Sequence, residues 1–106
     1  MTLGDFEQLV LLAILHLGDE AYGSRIVETI EEKSGRTISR SALYVTFDRL
    51  ESKGHLTSSL RHPTEERGGR MRRYVNVAPA GLEALRESRH VLEGMWRGLD
   101  ATFGET

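Results

Sequence analysis

The stretch Ser39-Arg40-Ser41-Ala42-Leu43-Tyr44-Val45-Thr46-Phe47-Asp48-Arg49-Leu50-Glu51-Ser52-Lys53-Gly54 reads as one complete helix, with its start, its buried face and its stop all encoded. Ser39 is a good N-cap, because its hydroxyl can accept from a free first-turn N–H. Leu43, Phe47 and Leu50 recur at steps of four and three, the spacing of one helix face. Lys53-Gly54 places a cation in the last turn and a residue that tolerates a left-handed cap just after it. Opposite the apolar stripe stand Arg40, Ser41, Tyr44, Val45, Asp48 and Arg49, a polar face rich in hydrogen-bonding groups.

Upstream, two more helices are expected. Residues 3–17 carry Leu3, Phe6, Leu9, Val10, Ala13, Ile14 and Leu17 at helical steps. Leu11, Leu12 and Leu15 widen that stripe, so the helix should be buried on two sides: one against its own core, the other against a partner subunit. Gly18 ends it. The second helix spans Tyr22 to Lys33 with Tyr22, Ile26, Val27 and Ile30 inward and Gly35 as its stop. Gly23, in its first turn, costs about 1 kcal/mol of helix propensity relative to Ala, which predicts close approach of a neighbouring backbone.

Downstream the period changes to two. Leu56, Ser58 and Leu60 alternate with Thr57 and Ser59, and after a loop Met71, Arg73, Val75 and Val77 alternate with Arg72, Tyr74 and Asn76. Two such runs around a Pro/Gly-containing loop predict a β-hairpin. Pro79 then opens a last helix, where its missing N–H costs nothing. Leu82, Leu85, Leu92, Trp96, Leu99 and Phe103 fall on a heptad seam, with Arg89 its one polar position. A second copy of the chain is the economical partner for that seam.

Three helices, a hairpin and a further helix give a mainly α (α+β) fold of the winged helix-turn-helix order. Residues 1–77 form the DNA-binding part and 78–106 a dimerisation helix, together one compact unit. The net charge of −2 argues against nucleic acid, but its distribution argues for it. From Arg36 to Arg73 nine basic and four acidic residues give +5, leaving −7 on the rest. A local positive field is what attracts phosphate.

Other classes find little support. There is no cysteine, so disulfides and thiolate metal sites are excluded. His16, His55, His62 and His90 lack metal-ligand spacing, so no metal or other cofactor is expected. No nucleophile–base pair or phosphate-binding glycine loop marks an enzyme. The opening Met1-Thr2-Leu3-Gly4-Asp5 carries no leader signal, and the longest apolar run, Leu9 to Leu15, is seven residues, too short to span a bilayer. A cytoplasmic location is expected. A winged-helix module that binds protein and no DNA is the alternative reading.

The sequence resembles the PadR family of bacterial transcription regulators along nearly its whole length. The matching stretches are Leu9-Val10-Leu11-Leu12-Ala13-Ile14-Leu15, Tyr22-Gly23, Ile38-Ser39, Ala42-Leu43-Tyr44, Asp48-Arg49-Leu50-Glu51 with Gly54, Gly69-Arg70-Met71-Arg72-Arg73-Tyr74 and Pro79-Ala80-Gly81. Val75 stands where a second aromatic often follows the wing arginines, and Ala78 where the family usually has an N-cap threonine. The resemblance implies a compact subtype with a single dimerisation helix. It also implies a homodimer that binds DNA, usually represses, and is released by a small effector or a change in stress or phenolic-compound levels.

The expected DNA contacts are Arg40, Ser41, Tyr44, Val45 and Arg49 on the third helix and Arg67, Arg70, Arg72 and Arg73 in the wing. Tyr44, placed opposite Leu43 and Phe47, either touches DNA or packs. Val45 could meet a thymine methyl. Strand alternation turns Arg72 and Arg73 to opposite faces, so at least one can be a bystander. The expected interface comprises Leu12, Leu85, Arg89, Leu92, Trp96, Leu99 and Phe103. Trp96 either fills that interface or stacks on a planar aromatic effector. The operator should be an inverted repeat in double-stranded DNA.

Overall fold

A computed structural model describes residues 3–62 and 71–104. Helix α1 (Asp5–Leu17) is followed by a single 3₁₀ turn (Gly18–Glu20), α2 (Gly23–Ser34), α3 (Arg40–Ser52), strands β1 (Leu56–Arg61) and β2 (Arg72–Val77), and α4 (Pro79–Trp96). The strands pair antiparallel from Leu56 opposite Val77 to Arg61 opposite Arg72. The Val75 N–H also donates to the Ala21 carbonyl at 3.0 Å, and Tyr22 forms a bridge with Tyr74. The hairpin is thereby sewn to the α1–α2 connection. The fold is mainly helical with a two-stranded wing, as the sequence predicts.

The core sits where α1, α2 and α3 meet. Val10, Leu11 and Ile14 of α1 pack with Ile26 and Ile30 of α2 and with Leu43, Phe47 and Leu50 of α3, all buried. The wing and α4 close it with Leu56, Val75, Ala84 and Leu85. Ser39 caps α3, its Oγ accepting from the Ala42 N–H at 3.1 Å, and Gly54 takes the left-handed conformation (φ +78°) beyond its end.

An ion pair joins the two ends of this arrangement. Glu7 accepts from the Gly4 N–H at 2.9 Å and from Lys53 Nζ at 2.9 and 3.1 Å, tying the start of α1 to the end of α3. Burial alone would raise the Glu7 pKa, but the Gly4 N–H and the Lys53 ammonium hold it below the ordinary carboxylate value.

Helix α4 departs from its expected length. It ends at Trp96, and Gly98 turns left-handed (φ +87°), so Leu99 and Phe103 lie beyond the helix and not on a continuous heptad seam. Successive turns then fold the Phe103 ring back to 5.1 Å from Trp96. A glycine that close to a helix end offers the chain a low-cost stop. At its other end α4 presses on the α3–β1 turn. The Ala78 N–H donates to the His55 carbonyl at 3.0 Å, and a Cβ on Gly81 would clash with that carbonyl oxygen and lie 2.8 Å from Val77 Cγ1.

Gly81→Ala should therefore destabilise the protein by about 1–3 kcal/mol through overpacking, against the usual gain of about 1 kcal/mol for alanine in a helix. Urea denaturation measures this. A variant as stable as the parent, or more so, would show that α4 does not seat on this carbonyl.

Candidate nucleic-acid interface

The buried stripe of α3 decides what the rest of that helix can do. With Leu43, Thr46, Phe47 and Leu50 turned inward, Arg40, Ser41, Val45, Asp48 and Arg49 are exposed. An exposed helix face is an element that the roughly 12 Å major groove admits.

Tyr44 is placed differently from the outward position read from the sequence. It is half-buried at the edge of the face, packed edge-on against Phe47 with ring centroids 5.6 Å apart. Its hydroxyl lies over Gly23: a Cβ built there would stand 2.7 Å away. The close neighbour of Gly23 is thus a side chain and not the backbone expected from the sequence.

The two arginines of β2 have separate surroundings, as strand alternation requires. Arg73 shares the inward face of β2 with Val75. Its Nη2 donates to Glu51 Oε1 and, at 3.2 Å, to Asp48 Oδ1, while its guanidinium lies 5.3 Å from the Phe47 ring centre. Ser58 Oγ donates to the same Glu51 oxygen at 2.5 Å. The Ser58 hydroxyl and the Arg73 guanidinium hold the Glu51 carboxyl below its ordinary pKa. Burial alone would lower the Arg73 pKa, but Glu51 and Asp48 more than offset it. Arg73 thus ties the wing to α3. Arg72 points to the other face, its guanidinium 4.3 Å from the Tyr22 ring centre. Arg61, opposite it, covers Tyr74 at 3.8 Å and donates to the Asp19 carbonyl at 2.9 Å. Arg67 and Arg70 lie outside the described residues.

Between the start of α2, α3 and β2 lies a polar cleft of about 390 Å³, bordered by Tyr22, Ser24, Arg40, Tyr44 and Arg72. Tyr22 and Ser24 were not among the expected contacts. The signal that could have found them is the Tyr22-Gly23 pair at a helix start, read from sequence only for its packing.

A second concave surface runs between α1 and α4, an apolar groove of about 520 Å³. Leu12, Leu15, Leu82, Leu92 and Trp96 line it and are each exposed by two-fifths or more. Arg89 stands at its rim, paired with Glu93 at 3.3 Å, whereas Leu85 is buried in the chain's own core and forms the floor. Leu99 and Phe103 make a smaller apolar cluster with Met95 and Trp96.

A wing braced against a helix whose polar face is exposed defines the winged helix-turn-helix class. Comparison with known proteins narrows the class further. Residues 11–87 match the transcriptional regulator PadR-like family. The transcriptional regulator Rv3488 of Mycobacterium tuberculosis is 37% identical over 90 residues, covering 83% of this chain and 79% of that protein. A PadR family transcriptional regulator from Eggerthella lenta has a crystal structure that is similar at TM-score 0.68 and 30% identity, over 91% of this chain and 81% of that one. Another, from hypervirulent Clostridium difficile, shares the fold at TM-score 0.74 and 21% identity, over 94% of this chain and 99% of that one. The chain belongs to the PadR-like family of transcriptional regulators, whose members are DNA-binding proteins and not enzymes. Among the described residues no helix is long and apolar enough to cross a membrane.

The Arg73 tie predicts an acid-sensitive brace. Glu51 has a folded pKa below its ordinary value of 4.5. Its contribution is therefore intact above that value and lost as the pH falls through the depressed one. Glu51→Gln should lose less stability than the parent between about pH 5 and pH 3, as urea midpoints would show. Identical pH dependence in the two proteins would contradict the brace.

Proposed function

We propose that this regulator is a homodimeric repressor that binds an inverted-repeat operator and is released by a planar aromatic effector held beside Trp96. The observation that carries the DNA contact is the exposed face of α3, on which Arg40, Ser41, Val45 and Arg49 surround no core-filling role. Arg40 and Arg49 can grip phosphate or read a guanine edge, Ser41 can bond a base or phosphate, and Val45 can meet a thymine methyl. The wing adds Arg72, together with Arg67 and Arg70, as phosphate contacts. Arg73 serves them indirectly, by holding the wing to α3. The excess of basic residues between Arg36 and Arg73 supplies the attracting field.

The groove between α1 and α4 supports the dimer. Leu12, Leu92 and Trp96 are exposed apolar side chains that line one groove, the kind of clustered apolar surface that marks an interaction site. A second copy would cover them and pair Arg89 and Glu93 across its rim. Two-fold symmetry then presents two copies of α3 to successive major grooves. A planar aromatic molecule between the two Trp96 rings would alter the subunit geometry and so the spacing of those helices. Repression follows from an operator that overlaps the promoter, in the cytoplasm where the genome lies.

Selection of bound fragments from the host genome should enrich an inverted repeat with half-site centres about 10 bp apart. Light scattering should give twice the 11.9 kDa chain mass, and Leu12→Glu with Leu92→Glu should halve that mass and abolish operator binding. No enriched sequence, or full binding by the monomeric variant, would contradict the proposal. A panel of planar aromatics should contain one that quenches Trp96 fluorescence and dissociates the operator complex. Quenching without dissociation would refute relief of repression.

A further inference from the structure

We infer that one DNA-backbone phosphate seats in the cleft between α2, α3 and β2, and that Gly23 is the positioning residue that holds the Tyr44 hydroxyl at its floor. This rests on the DNA-binding reading above and adds a contact and a residue to it.

The reason for a glycine at position 23 is spatial. Its φ is not left-handed, so the backbone there would accept any residue. It lies in the first turn of α2, where glycine costs about 1 kcal/mol relative to alanine. What a side chain would meet is Tyr44 Oη at 2.7 Å, Tyr44 Cζ at 3.4 Å and Arg40 Cδ at 3.8 Å. The space of the missing methyl is therefore filled by a phenol hydroxyl and the stem of an arginine. Phe47 pins the Tyr44 ring from its other side. The ring is thus packed on Phe47 with its hydroxyl over the bare Gly23 backbone.

The surroundings point to an anion. Arg40 and Arg72 both border the cleft, Ser24 and Tyr44 add hydroxyls, and no carboxylate is among its described lining residues. Arg73 also reaches the cleft, but Glu51 and Asp48 neutralise it. Guanidinium and hydroxyl groups lining one cleft offer donors of the kind that the several acceptor oxygens of a phosphate take. The cleft lies between the recognition helix and the wing, where a DNA backbone passes when α3 occupies the major groove. A phosphate contact is independent of sequence, whereas a base-edge contact is not, and this separates the two.

The test measures binding of the parent, Gly23→Ala, Tyr44→Phe and the double variant to the operator and to a scrambled duplex of equal length. Each single variant should weaken both duplexes about tenfold, the loss of one charge-assisted hydrogen bond. The double variant should bind no worse than Tyr44→Phe alone, since without the hydroxyl the added methyl meets Cζ at 3.4 Å and Arg40 Cδ at 3.8 Å, both ordinary contact distances. Gly23→Ala should keep or raise the melting temperature, because alanine favours the helix and the hydroxyl is the movable end of a side chain. A merely structural glycine would instead lower the melting temperature. Parent-like binding by Gly23→Ala, multiplying losses in the double variant, or a loss confined to the operator would each overturn the inference while leaving DNA binding in place. Failure of the parent to bind either duplex would overturn the DNA reading and this contact with it.

Discussion

The burial of one stripe on α3 is the constraint on which the rest depends. Leu43, Phe47 and Leu50 have no exposure at all, and a fully buried Leu or Phe contributes roughly 1.5–3 kcal/mol to a domain of marginal stability. The helix cannot rotate about its axis without losing that contribution. Its polar side is therefore presented outward in one orientation, before any DNA arrives. A recognition surface gains affinity by such preorganisation, because little ordering remains to be done on binding.

The wing is held in the same frame. Phe47 anchors the core side of α3, and Arg73 reaches from β2 across its ring to Glu51 and Asp48 on the same helix. On the far side of β2 the Val75–Ala21 hydrogen bond joins the hairpin to the start of α2. Helix α3 and the wing are thus tied to each other, and the cleft between them is lined by groups from α2, α3 and β2. Arg73, one of the expected DNA contacts, is paired with two carboxylates of α3.

Much of this was legible in the sequence, for reasons that can be traced. The helix of Ser39–Gly54 was readable because its cap, stripe and stop agree, and the hairpin because its period of two breaks sharply from the helices. The role of Arg73 was half legible: alternation put it on the face of Val75, yet only the structure shows Glu51 and Asp48 within reach, since those lie 22 and 25 residues away in the chain. Tyr44 was misplaced because a helix position at the border of two faces is decided by its neighbours, here Phe47 and the gap over Gly23. The heptad count ran on past Trp96 because apolar spacing continued through Leu99 and Phe103, while the left-handed turn at Gly98 ended the helix beneath it. Periodicity reports faces, and a glycine can end the helix that carries them.

The apolar groove between α1 and α4 is lined by residues other than those of the exposed α3 face. Both borders contribute to the core, through Val10 and Leu11 on α1 and Ala84 and Leu85 on α4. Any change in how α4 sits is thus felt by the helix that α3 packs against. In the proposed homodimer, that connection would let the covered groove set the spacing of the two copies of α3. The central claim, that the outward face of α3 enters the major groove, is tested most directly by dimethyl sulfate footprinting, which reports guanine N7 in that groove. Two protected patches are expected, one per half-site and about 10 bp apart on one face of the duplex. Full complex formation with guanine N7 reactivity unchanged in both half-sites would contradict it.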